Sequence, residues 1–220
     1  MRYAICVLIG YLLGMLNPAY FLAKFHGIDI RTRGSGNAGA SNAMLVFGKL
    51  RGALCALFDI GKAVAVVCLT RALFPGDPLV FAVAASACIL GHIFPFYMGF
   101  RGGKGLACLA GVILAYDLRV FAVLLAAEAV VMMATRYICF VPMSASAVFP
   151  VLYGFMTKNI LGILILAAVA VVIQFRHGDN IRRIRKGQEI RISYLWNKEA
   201  ESARMRANYP EEEWDHPEVE

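Results

Sequence analysis

Charged residues are scarce in this chain, and most of it lacks the polar surface that a water-soluble domain needs. Only 17% of the 220 residues are Asp, Glu, Lys or Arg, whereas 60% are hydrophobic, and the mean hydropathy is +0.64. A folded domain in water carries more charge than this. The composition therefore excludes an ordinary soluble domain and is typical of a protein embedded in a membrane.

The chain also lacks paired cysteines and internal repeats. Its six cysteines all fall within apolar stretches, and no two of them have C-x-x-C spacing. They are interpreted as small hydrophobic residues, with no disulfide framework and no zinc site. Without a repeat, the usual sequence sign of an inverted-repeat transporter is missing.

Seven apolar segments divide the chain as far as residue 175. They cover residues 3–23, 54–73, 79–97, 106–116, 120–135, 137–156 and 160–175. A membrane-spanning helix needs roughly 17–25 residues, so the segment 106–116 is short and predicts a half-helix beside protein or a wet cavity. The pattern predicts an all-α, polytopic membrane helix bundle with about seven transmembrane segments, five or six being the alternatives. Asn17-Pro18 interrupts the first segment, which is interpreted as a retained helix rather than a signal peptide.

Basic residues are distributed unevenly between the connections, which predicts an orientation. If the chain crosses seven times, one side receives Arg31, Arg33, Lys49, Arg51, Arg101, Lys104, Arg136 and the arginine-rich end from Arg176 onward. The positive-inside rule then predicts an N-terminus outside and a cytoplasmic C-terminus. The net charge of +7 is explained by membrane topology and lipid headgroups rather than by nucleic acid.

The end of the chain differs in composition from the rest. We divide the sequence into a membrane domain, residues 1–190, and a polar cytoplasmic tail, residues 191–220, which is expected to be partly disordered at its acidic end. Isoleucines near this boundary predict an amphipathic segment lying on the bilayer: Ile181, Ile184, Ile190 and Ile192.

Two glycine-rich loops stand between apolar segments. The first reads G-S-G-N-A-G-A-S-N at residues 34–42, and the second reads F-R-G-G-K-G at residues 100–105. Glycine lets consecutive N–H groups turn toward one point, and such nests bind phosphate-like anions, especially beside a cation. The loops predict an anion site at the membrane surface. The G-x-G-x-x-G spacing of the first loop does not indicate a dinucleotide fold, because membrane segments rather than a βαβ unit flank it.

Two further polar clusters accompany these loops. G-H-I-F-P at residues 91–95 precedes the second loop, and H-G-D-N-I-R-R at residues 177–183 follows the last apolar segment, with Gly187 and Glu189 beyond. In this order the motifs resemble those of the bacterial glycerol-3-phosphate acyltransferase family called PlsY, over about residues 1–190. The resemblance implies a multi-pass enzyme of the bacterial inner membrane that catalyses the first step of phospholipid synthesis. The implied reaction moves a fatty acyl group from acyl-phosphate to the 1-hydroxyl of sn-glycerol 3-phosphate, giving lysophosphatidic acid and phosphate.

The same resemblance implies the site residues. The catalytic set is Ser35, Lys104, His177 and Asn180. The substrate-binding set is Gly34, Gly36, Asn37, Gly39, Ser41, Asn42, His92, Gly102, Gly103 and Gly105. No metal and no bound cofactor are implied, and the expected protein is a monomer whose partners are its two substrates and membrane lipid. Either His177 or a phosphate oxygen of the substrate removes the hydroxyl proton.

The chain departs from the family pattern at several positions, and the departure at residue 45 bears most on function. Leu45 stands where an arginine is usual, and the cations considered as replacements are Lys49, Arg51 and Arg101. This departure favours, as one alternative, a catalytically altered relative that uses another acceptor.

A transporter for an organic phosphate is the second alternative, because it would also use glycine nests and interfacial cations. Its path would be marked by ionisable residues inside apolar segments, namely Asp59, Lys62 and Glu128. We favour a mutually neutralising structural pair for Asp59 and Lys62. Acyltransferases that pair a histidine with an aspartate after four intervening residues are disfavoured, because the sequence lacks that spacing.

Overall fold

The computed structural model describes residues 1–208, which form helices joined by short connections. The α-helices are α1 (Arg2–Gly14), α2 (Pro18–Phe25), α3 (Ala40–Phe47), α4 (Lys49–Leu73), α5 (Pro78–Ile93), α6 (Leu106–Tyr116), α7 (Leu118–Thr135), α8 (Phe140–Thr157), α9 (Ile160–Arg176), α10 (Gly178–Arg185) and α11 (Lys198–Arg206). Short 3-10 turns occur at Ile30–Thr32, Phe96–Met98 and Ile192–Leu195. No strand is present within the described part of the chain, so the all-α prediction is confirmed.

Helices long and apolar enough to cross a membrane account for most of the chain. Six such stretches occur in residues 1–208: Arg2–Phe25, Lys49–Leu73, Pro78–Met98, Leu118–Thr135, Phe140–Thr157 and Ile160–Arg185. The helix α6 has 11 residues and rises only about 16 Å, which is half the hydrocarbon thickness. The protein is therefore a multi-pass helical bundle with one half-length helix, and its orientation in the membrane stays a prediction.

The first stretch is broken in the middle, where the sequence carries Asn17-Pro18. The helix α1 ends at Gly14, and Pro18 opens α2 at a position where its missing N–H costs nothing. The buried Asn17 side chain caps α2 by accepting from the N–H of Tyr20 at 2.9 Å, and it donates to the Ala38 carbonyl at 2.7 Å. The break therefore ties the first membrane stretch to the first glycine-rich loop.

The helix α5 lies at the centre of the bundle. In the span Pro78–Met98, 72% of the most apolar 18-residue stretch is buried. Small residues let α1 approach it closely. A Cβ added to Gly10 would overlap the Ala84 carbonyl, and one added to Gly14 would overlap the backbone of Cys88. In lipid the hydrophobic effect does not drive helices together, so this small-residue packing is what holds α1 against α5.

Part of the predicted tail packs onto the membrane domain. The N–H of Ile192 donates to the Arg136 carbonyl at 2.9 Å, and Lys49 Nζ donates to the Leu195 carbonyl at 2.6 Å. The helix α11 follows. Residues 209–220, which include the acidic end that was expected to be disordered, lie outside the described residues.

Candidate active site

A cavity of about 390 Å³ brings the separated sequence motifs together. Much of its polar lining comes from both glycine-rich loops and the third motif, including Ser35, Asn37, Ser41, Lys104, His177 and Asn180. Its apolar lining comes largely from α3, α4, α6 and the start of α8: Met44, Leu45, Ala56, Ile60, Leu106, Ala110 and Pro142. The cavity can therefore hold a polar group and an alkyl chain side by side.

The predicted site residues divide into two groups by position. Those that line the cavity are Ser35, Asn37, Gly39, Ser41, His92, Lys104, Gly105, His177 and Asn180. The others lie behind the lining and shape the loops: Gly34, Gly36, Asn42, Gly102 and Gly103.

The buried Asn42 side chain shapes the first loop. Its Oδ1 accepts from the N–H of Ser35 at 2.7 Å, and its Nδ2 donates to the carbonyls of Ile30 and Arg33 at 3.0 and 2.9 Å. Gly34 has φ +55°, and a Cβ there would overlap Asn42 Oδ1. Asn42 therefore fixes the position of Ser35 from behind.

The second loop folds back on the end of α5. The N–H groups of Gly102 and Gly103 donate to the carbonyls of Ile93 and His92 at 3.0 and 3.1 Å. A Cβ on Gly103 would overlap the His92 ring. These two glycines therefore give Lys104 its position but do not offer their N–H groups to a ligand.

Two helix N-termini reach the cavity lining. The opening residues of α3 (Ala40, Ser41) and of α6 (Leu106, Ala107) line it. The first N–H groups of a helix have no partner within it, and the helix dipole favours negative charge there. The expected anion nest stays a prediction, and of its proposed donors the N–H groups of Gly102 and Gly103 are used to close the second loop.

A chain of polar contacts runs from Lys104 to the end of the third motif. Lys104 Nζ donates to Asn180 Oδ1, and Asn180 Nδ2 donates to Glu189 Oε1 at 2.6 Å. Glu189 is buried, and its Oε2 accepts from Arg183 Nε at 2.7 Å. Glu189 therefore fixes the amide orientation of Asn180, a role that the sequence motif did not assign to it.

The environment of Lys104 disfavours its positive charge. Burial, followed by repulsion from Arg183, lowers the pKa of the Lys104 ammonium from 10.5 to about 8. Its nearest hydrogen-bond partner is a neutral amide. An anion in the cavity would supply the charge that this ammonium lacks.

His177 is the residue between α9 and α10, and it is 3% exposed. Its Nδ1 lies 2.8 Å from the Ile173 carbonyl, which only accepts hydrogen bonds, so Nδ1 carries the proton. In the neutral ring this leaves Nε2 with a free lone pair. His177 thus has the form that a general base requires.

A second polar cluster reaches the cavity through Asp59 and His92. Lys62 Nζ lies 2.6 Å from Asp59 Oδ1, 3.1 Å from His92 Nδ1 and 2.5 Å from the Leu16 carbonyl. The side chains of Asp59 and Lys62 are only 3% and 4% exposed, so the two residues form the expected buried ion pair, and its structural role stays a prediction. Asp59, His92 and Cys108 also come close enough to suggest a metal site, but the Lys62 ammonium already provides the positive charge there.

Removing one partner of this pair is expected to destabilise the protein strongly. Lys62→Met leaves the Asp59 carboxylate buried without its cation, which costs about 3–5 kcal/mol in comparable pairs. The midpoint of thermal unfolding in detergent should fall well below that of the parent and of Lys24→Met, whose lysine is exposed. The double variant Asp59→Asn/Lys62→Met should recover most of the loss. A double variant less stable than Lys62→Met alone would contradict this account.

The intramembrane residues that would mark a transport path have local partners. Asp59 and Lys62 pair with each other, and the buried Glu128 accepts from Ser144 Oγ at 2.6 Å between α7 and α8. Each charge is thus engaged within its own helix or with the neighbouring one, which gives the transporter alternative no support.

The cations proposed to replace the missing arginine are not the ones at the cavity. Leu45 lines the cavity, whereas Lys49, Arg51 and Arg101 do not. Lys49 is held by the Leu195 carbonyl. Besides Lys104, the cations that do line it are Arg183 and Arg191. Sequence reasoning missed Arg191 because it lies in the segment assigned to the tail.

Fold and cavity together define a multi-pass helical membrane protein whose separated polar motifs meet in one cavity. Residues 4–187 match the family model described as glycerol-3-phosphate acyltransferase. The chain belongs to this family, the one called PlsY, as its motifs implied.

Relatives and solved structures agree with this assignment. The glycerol-3-phosphate acyltransferase of Geobacter sulfurreducens is 34% identical over 84% of this chain and 94% of its own length. That of Shewanella halifaxensis is 36% identical over 86% and 94%. A crystal structure of PlsY (YgiH), an integral membrane glycerol 3-phosphate acyltransferase in its glycerol 3-phosphate form, matches with a TM-score of 0.80 at 28% identity, covering 89% of this chain and 98% of that one. The lysophosphatidic acid form matches with a TM-score of 0.77.

Proposed function

We propose that this protein transfers a fatty acyl group from acyl-phosphate to the 1-hydroxyl of sn-glycerol 3-phosphate, at the cytoplasmic face of the bacterial inner membrane. The observation that carries the proposal is the meeting of Ser35, Lys104 and His177 in one cavity that also has apolar walls. Both substrates carry phosphate, and the donor also carries an alkyl chain. The cavity offers a place for each of these parts.

Lys104 and the N-termini of α3 and α6 bind negative charge in this mechanism. They stabilise the oxyanion that develops on the donor carbonyl and the phosphate that leaves. Preorganised donors of this kind act where charge appears in the transition state. Ser35 orients a substrate phosphate through its hydroxyl, and Asn180, held by Glu189, orients the acceptor beside Lys104.

His177 accepts the proton in this mechanism. The oxygen of the 1-hydroxyl attacks the acyl carbonyl carbon, its proton passes to His177 Nε2, and the bond between the carbonyl carbon and the phosphate oxygen breaks. The products are lysophosphatidic acid and inorganic phosphate. Because acyl-phosphate is already activated, holding the two reactants together supplies much of the rate enhancement, and no acyl-enzyme is required.

The protonation of Lys104 limits the activity at high pH. The pKa of this ammonium is lowered to about 8, so the fraction able to bind phosphate falls as the pH rises through that value. We expect kcat/KM for palmitoyl phosphate to fall with a midpoint near pH 8, whereas kcat falls only at higher pH, because the bound phosphate of the donor holds the proton on the lysine. Lys104→Arg, which stays charged, should lose this alkaline limb. An unchanged limb in Lys104→Arg would contradict the assignment.

The purified protein tests the reaction directly. Palmitoyl phosphate and glycerol 3-phosphate should yield lysophosphatidic acid and phosphate in equal amounts, whereas palmitoyl-coenzyme A should yield neither. Turnover with the coenzyme A ester but not with palmitoyl phosphate would overturn the proposed donor.

Other outcomes would favour the alternatives. Phosphate release without lysophosphatidic acid would indicate hydrolysis or another acceptor. A gain of lysophosphatidic acid in Leu45→Arg, from a parent that makes none, would indicate an altered relative. Uptake of glycerol 3-phosphate into sealed vesicles without acyl transfer would indicate transport.

A further inference from the structure

The segment that follows the family match also forms part of the cavity. The family model ends at residue 187, yet the lining includes Arg191, Tyr194 and Leu195. Tyr194 and Leu195 belong to the 3-10 turn Ile192–Leu195 and line the cavity beside the junction of α3 and α4, where Lys49 donates to the Leu195 carbonyl. This segment is therefore a wall of the site as well as a tail.

Hydrogen bonds hold this wall in place from both sides. On the membrane-domain side, the N–H of Ile192 donates to the Arg136 carbonyl. On the other side, the buried Glu201 of α11 accepts from the N–H of Arg191 at 2.9 Å and from Ser193 Oγ at 3.1 Å. Arg204 balances the Glu201 carboxylate at 2.6 Å. The backbone of Arg191 is thus fixed relative to the cavity.

The Arg191 guanidinium has no ion-pair partner within residues 1–208. Of the three cations on the lining, Arg183 is paired with Glu189 and Lys104 contacts the neutral Asn180. The Arg191 guanidinium lies over the Tyr137 ring, with its centre 5.9 Å from the ring centroid, and its Nε is 3.4 Å from the Tyr137 hydroxyl. The Glu201 carboxylate accepts from the backbone N–H of Arg191 and attracts its guanidinium, but no carboxylate within residues 1–208 forms an ion pair with that guanidinium.

Glycerol 3-phosphate and the acyl-phosphate donor need different binding contacts. An acyl chain holds the donor among the apolar helices, so its phosphate needs one cation, Lys104. Glycerol 3-phosphate has no apolar part, and its phosphate is its strongest binding group. A guanidinium offers parallel N–H groups that match phosphate oxygens, which an ammonium does not.

We propose that Arg191 binds the phosphate of glycerol 3-phosphate, so that the segment after residue 187 completes the acceptor site of this chain. The inference rests on the proposed function, because it assumes that glycerol 3-phosphate is the acceptor. Lys104 then serves the donor phosphate and the oxyanion.

The test compares Arg191→Gln with Arg185→Gln in the full-length protein. Arg185 is exposed on α10 and does not line the cavity, so it controls for the loss of one charge. Losing a charge-assisted hydrogen bond should raise KM for glycerol 3-phosphate about 10- to 100-fold, leave KM for palmitoyl phosphate unchanged and leave the thermal midpoint unchanged. Arg191→Lys should restore part of the affinity. Glu201→Gln, which weakens the anchor of the wall, should raise the same KM.

Binding of glycerol 3-phosphate, measured by calorimetry without the donor, separates the possible failures. Normal binding and KM in Arg191→Gln, or an equal rise in both KM values, would overturn the role of Arg191 while the proposed function stands. A parent protein that neither binds nor acylates glycerol 3-phosphate would overturn both. Inorganic phosphate competes with glycerol 3-phosphate, and Arg191→Gln should raise its inhibition constant to a similar degree. This result would show that the phosphate is the group recognised.

Discussion

Lys104→Ala is expected to reduce kcat/KM for acyl transfer about 10³-fold, which is the upper range for loss of one preorganised oxyanion donor. The physical reason is that Lys104 is half-buried and, among the described residues, forms no ion pair; it contacts the amide of Asn180. Its charge is therefore available to the phosphate and to the developing oxyanion. Steady-state rates with palmitoyl phosphate, followed by release of phosphate, give the measurement.

Two variants accompany this experiment. Lys186→Ala removes an exposed lysine beyond the end of α10 and should keep parent activity. Lys104→Arg should lie between the parent and the alanine variant, because a guanidinium keeps the charge but not the shape of an ammonium. If Lys104→Ala keeps more than one tenth of the parent activity, Lys104 has only a structural role in the second glycine-rich loop.

His177→Asn is expected to lower kcat about 10²- to 10⁴-fold, the usual contribution of a positioned general base. An asparagine amide can donate to the Ile173 carbonyl as Nδ1 does at 2.8 Å, so the local structure is kept. It has no basic atom to replace Nε2. The thermal midpoint should stay near that of the parent, which separates a chemical role from a structural one.

His26→Asn is the matched control. His26 also places Nδ1 2.8 Å from the carbonyl four residues earlier, that of Leu22, but it is exposed and lies off the cavity. Its substitution should leave kcat unchanged. If His177→Asn keeps most of the parent rate, a phosphate oxygen of the substrate removes the proton instead.

The sequence predicts the membrane segments closely because their signal is local. Runs of apolar residues give the predicted segments 54–73 and 160–175, and the structure has Lys49–Leu73 and Ile160–Arg176. The break at Asn17-Pro18 is also readable, since proline and a capping residue act on their own neighbours. The meeting of the motifs in one cavity was implied by the family resemblance.

Other features depend on contacts between distant residues and are not readable from the sequence. The glycine N–H groups were expected to face a ligand, but those of Gly102 and Gly103 are used by carbonyls at the end of α5. Ile190 and Ile192 were expected on the bilayer surface, yet they line the cavity. The fold places them there because the segment after Glu189 is anchored to Arg136 and Glu201.

The glycine contacts between α1 and α5 bear on how the enzyme responds to its lipid surroundings. Because Gly10 and Gly14 each face the backbone of α5, α1 cannot slide along its neighbour to match a thinner or thicker bilayer. Asn17 follows α1 and donates to the Ala38 carbonyl in the loop that contains Ser35, so the position of α1 also fixes the depth of that loop. Hydrophobic mismatch must then be absorbed by tilting of the whole bundle or by deformation of the lipid, so we expect similar kcat in short-chain and long-chain phosphatidylcholine.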